Sequence, residues 1–345
     1  MIRKLLIIGG AIVALLLIAG VILYQKYLAT PVTQQGEDAI IVYVPTGAGF
    51  EQVLDSLKSK NLVKDEAAFR YLAEQMQYAK SPMRSGRYRL KAGWNVLQVV
   101  RHLRSGGQDP VKVILTTERM IEEVAAKVSR FIEPDSATLM AAFTNDSLLN
   151  AIGYTRENLM SLFIPNTYEC YWDMSTNEFI ERMIREHKKF WERENRAEKA
   201  KAMGMTPQEV YTLASIVEKE TLKNVEKPRI AGAYLNRLKI NMRLQADPTL
   251  VFATRDFETR RVLNYHKEFV SPYNTYMYAG LPPGPIAMSS ISSIDAVLNP
   301  EKHNYVYFCA VGDGSGLHAF AETLEGHNVN KVRYLDNLRK QGLID

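Results

Sequence analysis

Residues 205–222, with the sequence MTPQEVYTLASIVEKETL, predict the helix around which the rest of the chain is organised. Thr206 and Glu209 have the spacing of a capping box, and Pro207 suits the first position of a helix because its missing N–H costs nothing there. An apolar stripe follows at helical spacing: Val210, Leu213, Ala214, Val217 and Thr221. The stretch therefore predicts a helix with one face in the core.

Two carboxylates, Glu218 and Glu220, lie on opposite flanks of this stripe, at the border between core and solvent. A carboxyl group that is partly removed from water has a raised pKa, so it can serve as a general acid near neutral pH. Two solvated surface glutamates are the alternative. Charges beside an apolar stripe are common, so this helix alone favours the alternative.

Length and composition indicate a globular protein. The chain has 345 residues, 46% of them hydrophobic and 23% charged, which is enough for two domains. The net charge of +5 is mild and spread along the chain, without the basic cluster or motif that would indicate a nucleic-acid partner. Two cysteines, Cys170 and Cys309, are too few for a disulfide framework or a zinc site, and either one bridge or two thiols fits the sequence.

A membrane segment is predicted near the N-terminus. Residues 5–24 are all apolar or glycine, and a helix of this length crosses a hydrocarbon core of ~30 Å. The apolar run continues beyond Ala19-Gly20, which favours an uncleaved anchor in lipid over a signal peptide. Basic residues at 3–4 and acidic residues at 37–38 predict a cytoplasmic N-terminus, with the rest of the chain on the other side of that membrane.

Four segments are predicted in order: an anchor at 1–28, a polar linker at 29–39, a small αβ subdomain at 40–108 and a larger domain at 109–345. Within the subdomain, a strand, a glycine turn and a helix occur around Gly47 and again around Gly93, which indicates an internal repeat. Residues 85–93 resemble the LysM-like modules that bind the sugar backbone of peptidoglycan. A small packing domain without a ligand is the alternative.

The larger domain is predicted to be mainly helical, which makes the fold class α+β. Strands at 305–311 and 317–321 flank a glycine-rich turn and predict a β-hairpin. Loops at 163–168, 242–249, 272–276 and 280–286 join Pro and Gly turns to amide, hydroxyl and aromatic side chains, which suits the binding of sugar rings. The predicted helices lie at 117–131, 135–143, 156–163, 175–202, 228–238, 289–298 and 325–340.

Four strings in this order resemble the YceG-like family of endolytic murein transglycosylases: ASIVEKET at 214–221, MRLQADPT at 242–249, YNTY at 273–276 and GLPPGPI at 280–286. The ordered set is more specific than any one string. In that family the first glutamate of the E-K-E-T string is catalytic, which implies Glu218, whereas helical spacing alone does not choose it over Glu220. Asn166 departs from the aspartate expected in its loop, which puts a carboxylate role for that loop in doubt.

The resemblance implies a membrane-anchored enzyme that cuts the MurNAc–GlcNAc bond within nascent glycan strands, with no metal or cofactor. Glu218 would protonate the bridging oxygen and then deprotonate the MurNAc C6 hydroxyl, which closes a 1,6-anhydro ring. The implied location is the bacterial inner membrane with the catalytic part in the periplasm, and the implied partners are glycan strands and peptidoglycan synthases. The predicted substrate contacts are Glu220, Gln245, Asp247, Asn274, Tyr276 and His318.

Three alternatives stay open. A muramidase-type hydrolase would use Asp247 or Glu220 as a second carboxylate. A non-catalytic wall-binding or divisome scaffold would make equal use of the anchor and the LysM-like unit, although the intact E-K-E-T string disfavours it. Similar sequences have also been labelled aminodeoxychorismate lyases, but the anchor and the lack of a recognisable pyridoxal-phosphate lysine argue against that activity.

Overall fold

The computed structural model describes residues 2–29, 39–80, 82–259 and 262–344. The chain forms two compact units. The first runs to Lys112 and also contains the later segments Phe131–Pro134 and Glu169–Ser175, and the second contains the remainder. Most of the linker predicted at 29–39 lies outside the described residues.

The N-terminal segment is one long helix, α1 (Ile2–Tyr24), which continues into a π-helical turn at Gln25–Ala29. The part from Ile7 to Leu28 is long and apolar enough to cross a membrane, and none of it is buried in protein. A helix of the predicted length and composition is therefore confirmed. A membrane anchor and a signal sequence both have these properties.

The first unit contains an antiparallel strand pair with Ala39 opposite Lys91. Gly47 and Gly93 both have positive φ, 78° and 77°, and each is followed three residues later by the start of a helix. The repeat of strand, glycine turn and helix is therefore confirmed, while the likeness to LysM modules stays a prediction. The elements are β1 (Ala39–Val44), α2 (Phe50–Ser59), α3 (Glu66–Gln75), β2 (Gly86–Lys91) and α4 (Val96–Ser105).

The rest of the chain is mainly helical, with an antiparallel hairpin near its end in which Ala310 lies opposite His318. The α+β class and the hairpin are confirmed. Cys170 and Cys309 are not joined by a disulfide. The elements are β3 (Val111–Leu115), α5 (Ile121–Val128), α6 (Ser136–Phe143), α7 (Asp146–Ala151), β4 (Asn166–Cys170), α8 (Thr176–Glu192), α9 (Arg196–Ala202), α10 (Pro207–Glu220), α11 (Lys227–Lys239), α12 (Asp247–Thr254), α13 (Asn264–Glu268), α14 (Ile291–Leu298), β5 (Tyr307–Ala310), β6 (His318–Ala321) and α15 (Leu324–Lys340).

Helix α10 is the centre of the second unit. Its capping box is present, because Glu209 N–H donates to Thr206 Oγ1 at 3.2 Å and Thr206 N–H donates to the Glu209 carboxylate at 2.7 Å. Every residue from Val210 to Val217 is buried. The prediction of a single core-facing stripe was therefore wrong, since α10 is enclosed on all sides over two turns. Its first turn, where Glu209 is exposed, and its last turn, where Glu218 and Glu220 are partly exposed, reach the surface of the core.

Several predicted element boundaries were wrong for local reasons. The long helix at 175–202 is broken at Glu194 and Asn195, whose φ values of 55° and 56° are left-handed and end the helix. The segment at 156–163 forms only a 3₁₀ turn, Leu159–Leu162. The predicted loop at 242–249 ends in the start of α12, where Pro248 occupies the first turn of a helix without losing a hydrogen bond.

Candidate active site

Glu218, at the end of α10, is held by side chains from two other helices. Its Oε2 accepts hydrogen bonds from Ser290 Oγ, from Ser293 Oγ at 2.5 Å and from Lys227 Nζ at 3.0 Å. Ser290 is also the N-cap of α14, where its Oγ accepts from the backbone N–H of Ser293 at 3.3 Å. The starts of α11 and α14 therefore meet at the last turn of α10.

Lys227 makes this arrangement rigid. Its side chain is only 4% exposed, and besides Glu218 its ammonium group contacts Ser290 Oγ at 3.2 Å and Ser292 Oγ at 3.1 Å. All three N–H donors of the ammonium group thus have an acceptor. No donor among the described residues reaches Oε1 of Glu218, whose side chain is 13% exposed. One carboxylate oxygen is held by three donors, and the other has none among the described residues.

The protonation state of Glu218 differs from the expectation. Burial raises the pKa of Glu218, but the hydrogen bonds from Ser290 and Ser293 and the charge of Lys227 outweigh it and hold the pKa below its usual value. Glu218 is therefore a carboxylate at neutral pH in this structure. The prediction of a raised pKa from desolvation was wrong here, because donors from α11 and α14 favour the ionised form.

Glu220 has the opposite environment, two residues further along. It lines a cavity of about 630 Å³ and accepts a hydrogen bond from the hydroxyl of Tyr234. Burial raises the pKa of Glu220 to about 7, with a contribution from the charge of Asp247 and an opposing one from the Tyr234 hydrogen bond. The pKa predicted for an acid near neutrality is thus found at the second glutamate.

Of the predicted contacts, Glu220 and Asp247 line this cavity, whereas Gln245 and Tyr276 do not. Asp247 lines it and accepts a hydrogen bond from the Tyr276 hydroxyl at 2.5 Å. Gln245 has an exposed side chain and a φ of 48°, with its backbone N–H bonded to the carbonyl of Thr275 at 3.1 Å. The structure thus joins the 242–249 and 273–276 strings through hydrogen bonds, next to Glu220.

Asn274 does not offer its amide to a ligand. The residue is fully buried, and its Nδ2 donates to the carbonyls of Lys267 at 2.9 Å and Phe269 at 2.8 Å. Its Oδ1 accepts from the backbone N–H groups of Tyr276 and Met277 at 2.9 and 3.2 Å. We therefore correct the expectation of a substrate contact: Asn274 shapes the loop that carries Tyr276.

His318, on β6, is hydrogen-bonded to Glu226 and does not line the cavity. Its backbone N–H donates to Glu226 Oε1 at 2.8 Å, and its Nδ1 lies 3.0 Å from Glu226 Oε2. Glu226, whose side chain is 5% exposed, directly precedes Lys227. His318 therefore ties the hairpin to the start of α11, the helix that supplies the ammonium partner of Glu218.

The sequence did not indicate the groups that hold Glu218. Ser290 and Ser293 lie 72 and 75 residues from it along the chain, and Lys227 lies nine residues away, beyond the end of α10. The one local signal was the run of serines at the start of a predicted helix, where Ser is a common N-cap. Across the described ranges, no group of three His, Cys, Asp or Glu side chains is placed to hold a metal ion.

The fold and site together define an α+β protein whose central helix ends in two carboxylates of different pKa, one fixed by cationic and hydroxyl donors and one beside an open cavity. A sequence model of the YceG-like family matches residues 42–333, and the chain belongs to that family. The resemblance seen in the four strings is confirmed.

Individual proteins similar to this chain are consistent with membership of the family. The endolytic murein transglycosylase of Bacillus subtilis strain 168 is 29% identical over 338 residues, which cover 93% of this chain and 92% of the relative. That of Streptococcus pneumoniae D39 is 26% identical over 94% of this chain, which spans only 64% of that relative. A crystal structure of a yceG-like protein from Listeria monocytogenes has a TM-score of 0.55 and 27% identity, covering 85% of this chain and 98% of that one.

Proposed function

We propose that this protein is an endolytic murein transglycosylase, a lyase that cuts the MurNAc–GlcNAc bond within glycan strands and leaves 1,6-anhydro-MurNAc ends. Membership of the YceG-like family and the relatives that carry this activity in their names support the proposal. The observation that carries it is the state of Glu218, with one oxygen held by three donors and the other without a donor among the described residues. A lytic transglycosylase needs one such group.

In the proposed reaction, Glu218 acts first as an acid and then as a base. Its Oε1 gives a proton to the bridging oxygen as the bond from MurNAc C1 to that oxygen breaks. The C6 hydroxyl of the same MurNAc then gives its proton to Glu218 while O6 bonds to C1. The net transfer moves one proton from O6 to the leaving oxygen and consumes no water.

The first step requires a protonated Glu218, whereas the carboxylate is ionised without substrate. A bound glycan would exclude water from Oε1, and this desolvation raises the pKa of the carboxyl group. Ser290, Ser293 and Lys227 keep Oε2 in place while the proton enters on Oε1. We therefore expect cleavage to weaken as the pH rises above neutrality, since proton uptake on binding becomes harder.

A muramidase-type hydrolase is the second candidate, and one observation favours it. Glu220, with its pKa raised to about 7 by burial, lines the same cavity as Asp247. A glycoside hydrolase uses two carboxyl groups beside the bond that it cuts, one of them as the acid. In this reading Glu220 would donate the proton and Asp247 would activate water.

The proposal extends to location and to the first unit. We infer that α1 is an uncleaved anchor in the bacterial inner membrane, with its N-terminus in the cytoplasm and the catalytic unit in the periplasm. The LysM-like unit at 40–108 and the side chains of Gln245, Asp247 and Tyr276 would hold the strand. Peptidoglycan synthases, which make nascent strands, are the proposed protein partners, so cleavage would terminate elongation.

Digestion of purified glycan strands followed by mass spectrometry tests the proposal. Ends made by the transglycosylase are lighter by one water, ~18 Da, than ends made by a hydrolase, because O6 rather than water attacks C1. Internal fragments with 1,6-anhydro ends are expected. Reducing MurNAc ends would reject this reaction and favour the pair Glu220 and Asp247, and the absence of products from competent strands would favour a non-catalytic scaffold.

A further inference from the structure

The cavity beside Glu220 has three cationic side chains in its wall: Arg119, Lys219 and Lys267. Within the described part of the chain, none of the three forms an ion pair or donates a side-chain hydrogen bond to a protein acceptor. Lys267 is exposed, but Arg119 and Lys219 are partly buried, where such side chains usually have a carboxylate or carbonyl partner. Three cations without one, in a single cavity, indicate that the partner comes from outside the protein.

The contacts that these cations do make leave their N–H donors available. The guanidinium group of Arg119 lies 4.5 Å from the ring centre of Phe257, and Lys267 Nζ lies 5.3 Å from that of Tyr276. Stacking on a ring orients a cation without using its hydrogen-bond donors. Arg119 and Lys267 are therefore directed by aromatic rings and still able to bind an anion.

The two carboxyl groups of the cavity, Asp247 and Glu220, offset only part of the charge of its three cations. Asp247 is bonded to Tyr276, and Glu220 is only partly ionised at neutral pH because burial raises its pKa to about 7. Lys219 lies between Glu218 and Glu220 in the sequence and is partly buried. Burial lowers the pKa of Lys219, and the nearby charge of Arg119 lowers it further. Positive charge thus accumulates in a partly desolvated space, and an anion bound there would gain strong hydrogen bonds.

We propose that Arg119, Lys219 and Lys267 bind a carboxylate of the stem peptide that MurNAc carries. This inference rests on the proposed function, since the MurNAc that is attacked at C1 bears the peptide through its lactyl group, and that peptide must leave the cleavage site along the protein surface. Lys219 directly follows Glu218 in α10 and lines the cavity, which Glu218 itself does not line. A lipid-linked pyrophosphate is the other anion of a nascent strand, but it occurs only at the strand terminus, whereas endolytic cleavage meets a peptide at internal positions.

Binding is measured first, without turnover. Full-length protein in detergent is titrated with a free stem peptide and with the same peptide whose carboxylates are converted to carboxamides. We expect the carboxylate form to bind about 10-fold more tightly, as charge-assisted hydrogen bonds require. Arg119→Gln and Lys267→Gln should each remove most of that difference. Arg193→Gln, which removes an exposed cation outside the cavity, should keep it.

Cleavage kinetics then show whether the cationic side chains act on the peptide part of the substrate. For Arg119→Gln we expect KM to rise about 10-fold on peptide-bearing strands with kcat unchanged, and to stay constant on strands stripped of peptide by an amidase. Retention of the wild-type melting temperature shows that the variant is folded, and Lys267→Gln, at an exposed position, repeats the test.

Three results would overturn the inference. The first is equal binding of the two peptides to the wild-type protein, and the second is an equal rise in KM on both kinds of strand. The third is inhibition of cleavage by inorganic pyrophosphate that depends on Arg119, with no inhibition by the free stem peptide. Failure of the proposed function would look different. In that case the wild-type protein would cleave neither kind of strand, while the peptide titration would still report on the cavity.

Discussion

The two sides of the last turn of α10 place carboxylates two residues apart in opposite chemical states. On one side Glu218 meets an ammonium group and two hydroxyl groups, so it is ionised. On the other side burial raises the pKa of Glu220 to about 7, although the hydroxyl of Tyr234 donates to it. The comparison teaches that the sequence of α10 sets the position of each carboxylate, whereas the partners supplied by α11 and α14 set its charge.

The largest expected effect is on turnover. Glu218→Gln keeps the shape of the side chain but cannot carry the proton, so we expect cleavage to fall by ~10² to 10⁴-fold while the fold persists. Mass spectrometry of anhydro ends measures the rate, and circular dichroism checks the fold. Glu220→Gln is the matched control and should lose far less. A larger loss in Glu220→Gln than in Glu218→Gln would reverse the comparison and make Glu220 the acid.

The next largest effect is on the stability of the fold and concerns the ionised carboxylate, Glu218. Lys227→Met leaves the Glu218 side chain, which is only 13% exposed, without its charge partner, and this should lower the free energy of unfolding by about 3 kcal/mol at pH 7. A carboxyl group with a depressed pKa stabilises the folded state above its unfolded pKa, and this contribution is lost as the pH falls through the folded pKa. The deficit of the variant should therefore shrink towards low pH, as Glu218 becomes protonated.

Denaturant unfolding of Lys227→Met at several pH values measures this deficit. Lys223→Met is the matched control, because Lys223 is exposed and forms no ion pair within the described residues. A deficit that is constant from pH 3 to pH 8 would mean that Lys227 acts by packing alone, and the contrast between the two sides would lose its electrostatic basis.

A smaller effect on stability, of opposite sign, is expected for Glu220, the carboxyl group that lines the cavity. The raised pKa of Glu220 favours folding below its unfolded pKa, and this advantage is lost as the pH rises through about 7, where the buried group must ionise. Glu220→Gln avoids that cost and should therefore gain stability relative to the wild type from pH 5 to pH 8, by roughly 2 kcal/mol after allowance for the open cavity. Melting temperatures across this range measure the gain, and a gain that falls with pH would contradict it.

The smallest effect is expected from removal of residues 1–29. The described contacts of this segment with the first unit include a hydrogen bond from Asn95 Nδ2 to the carbonyl of Leu28 at 2.9 Å and an ion pair between Lys26 and Asp65 at 3.2 Å, all at exposed groups. Such contacts contribute at most ~1 kcal/mol each. The truncated protein should be soluble and cleave glycan at the full rate, as an activity assay beside the full-length protein shows. An unfolded product would be inconsistent with an anchor that serves location alone.

The sequence predicts those features of the molecule that depend on residues close together in the chain. The start of α10 was predicted because Thr206, Pro207 and Glu209 act within one turn, and the hairpin because its turn is glycine-rich. Asn274 was misread because an amide in a polar loop has the same composition whether it binds a ligand or its own backbone. The hydroxyl donors to Glu218 come from more than 70 residues away, and no local pattern carries such a contact.

Ser290 has two duties that depend on one oxygen atom: it caps the first turn of α14 and it donates to Glu218. Fraying of that turn would remove both contacts together, so a local opening of α14 leaves the carboxylate to Lys227 without unfolding the unit. The amide proton of Ser293, which the same oxygen accepts, then becomes a reporter of how the carboxylate is held. Its exchange with solvent deuterium should slow when a ligand occupies Glu218 and quicken in Glu218→Gln.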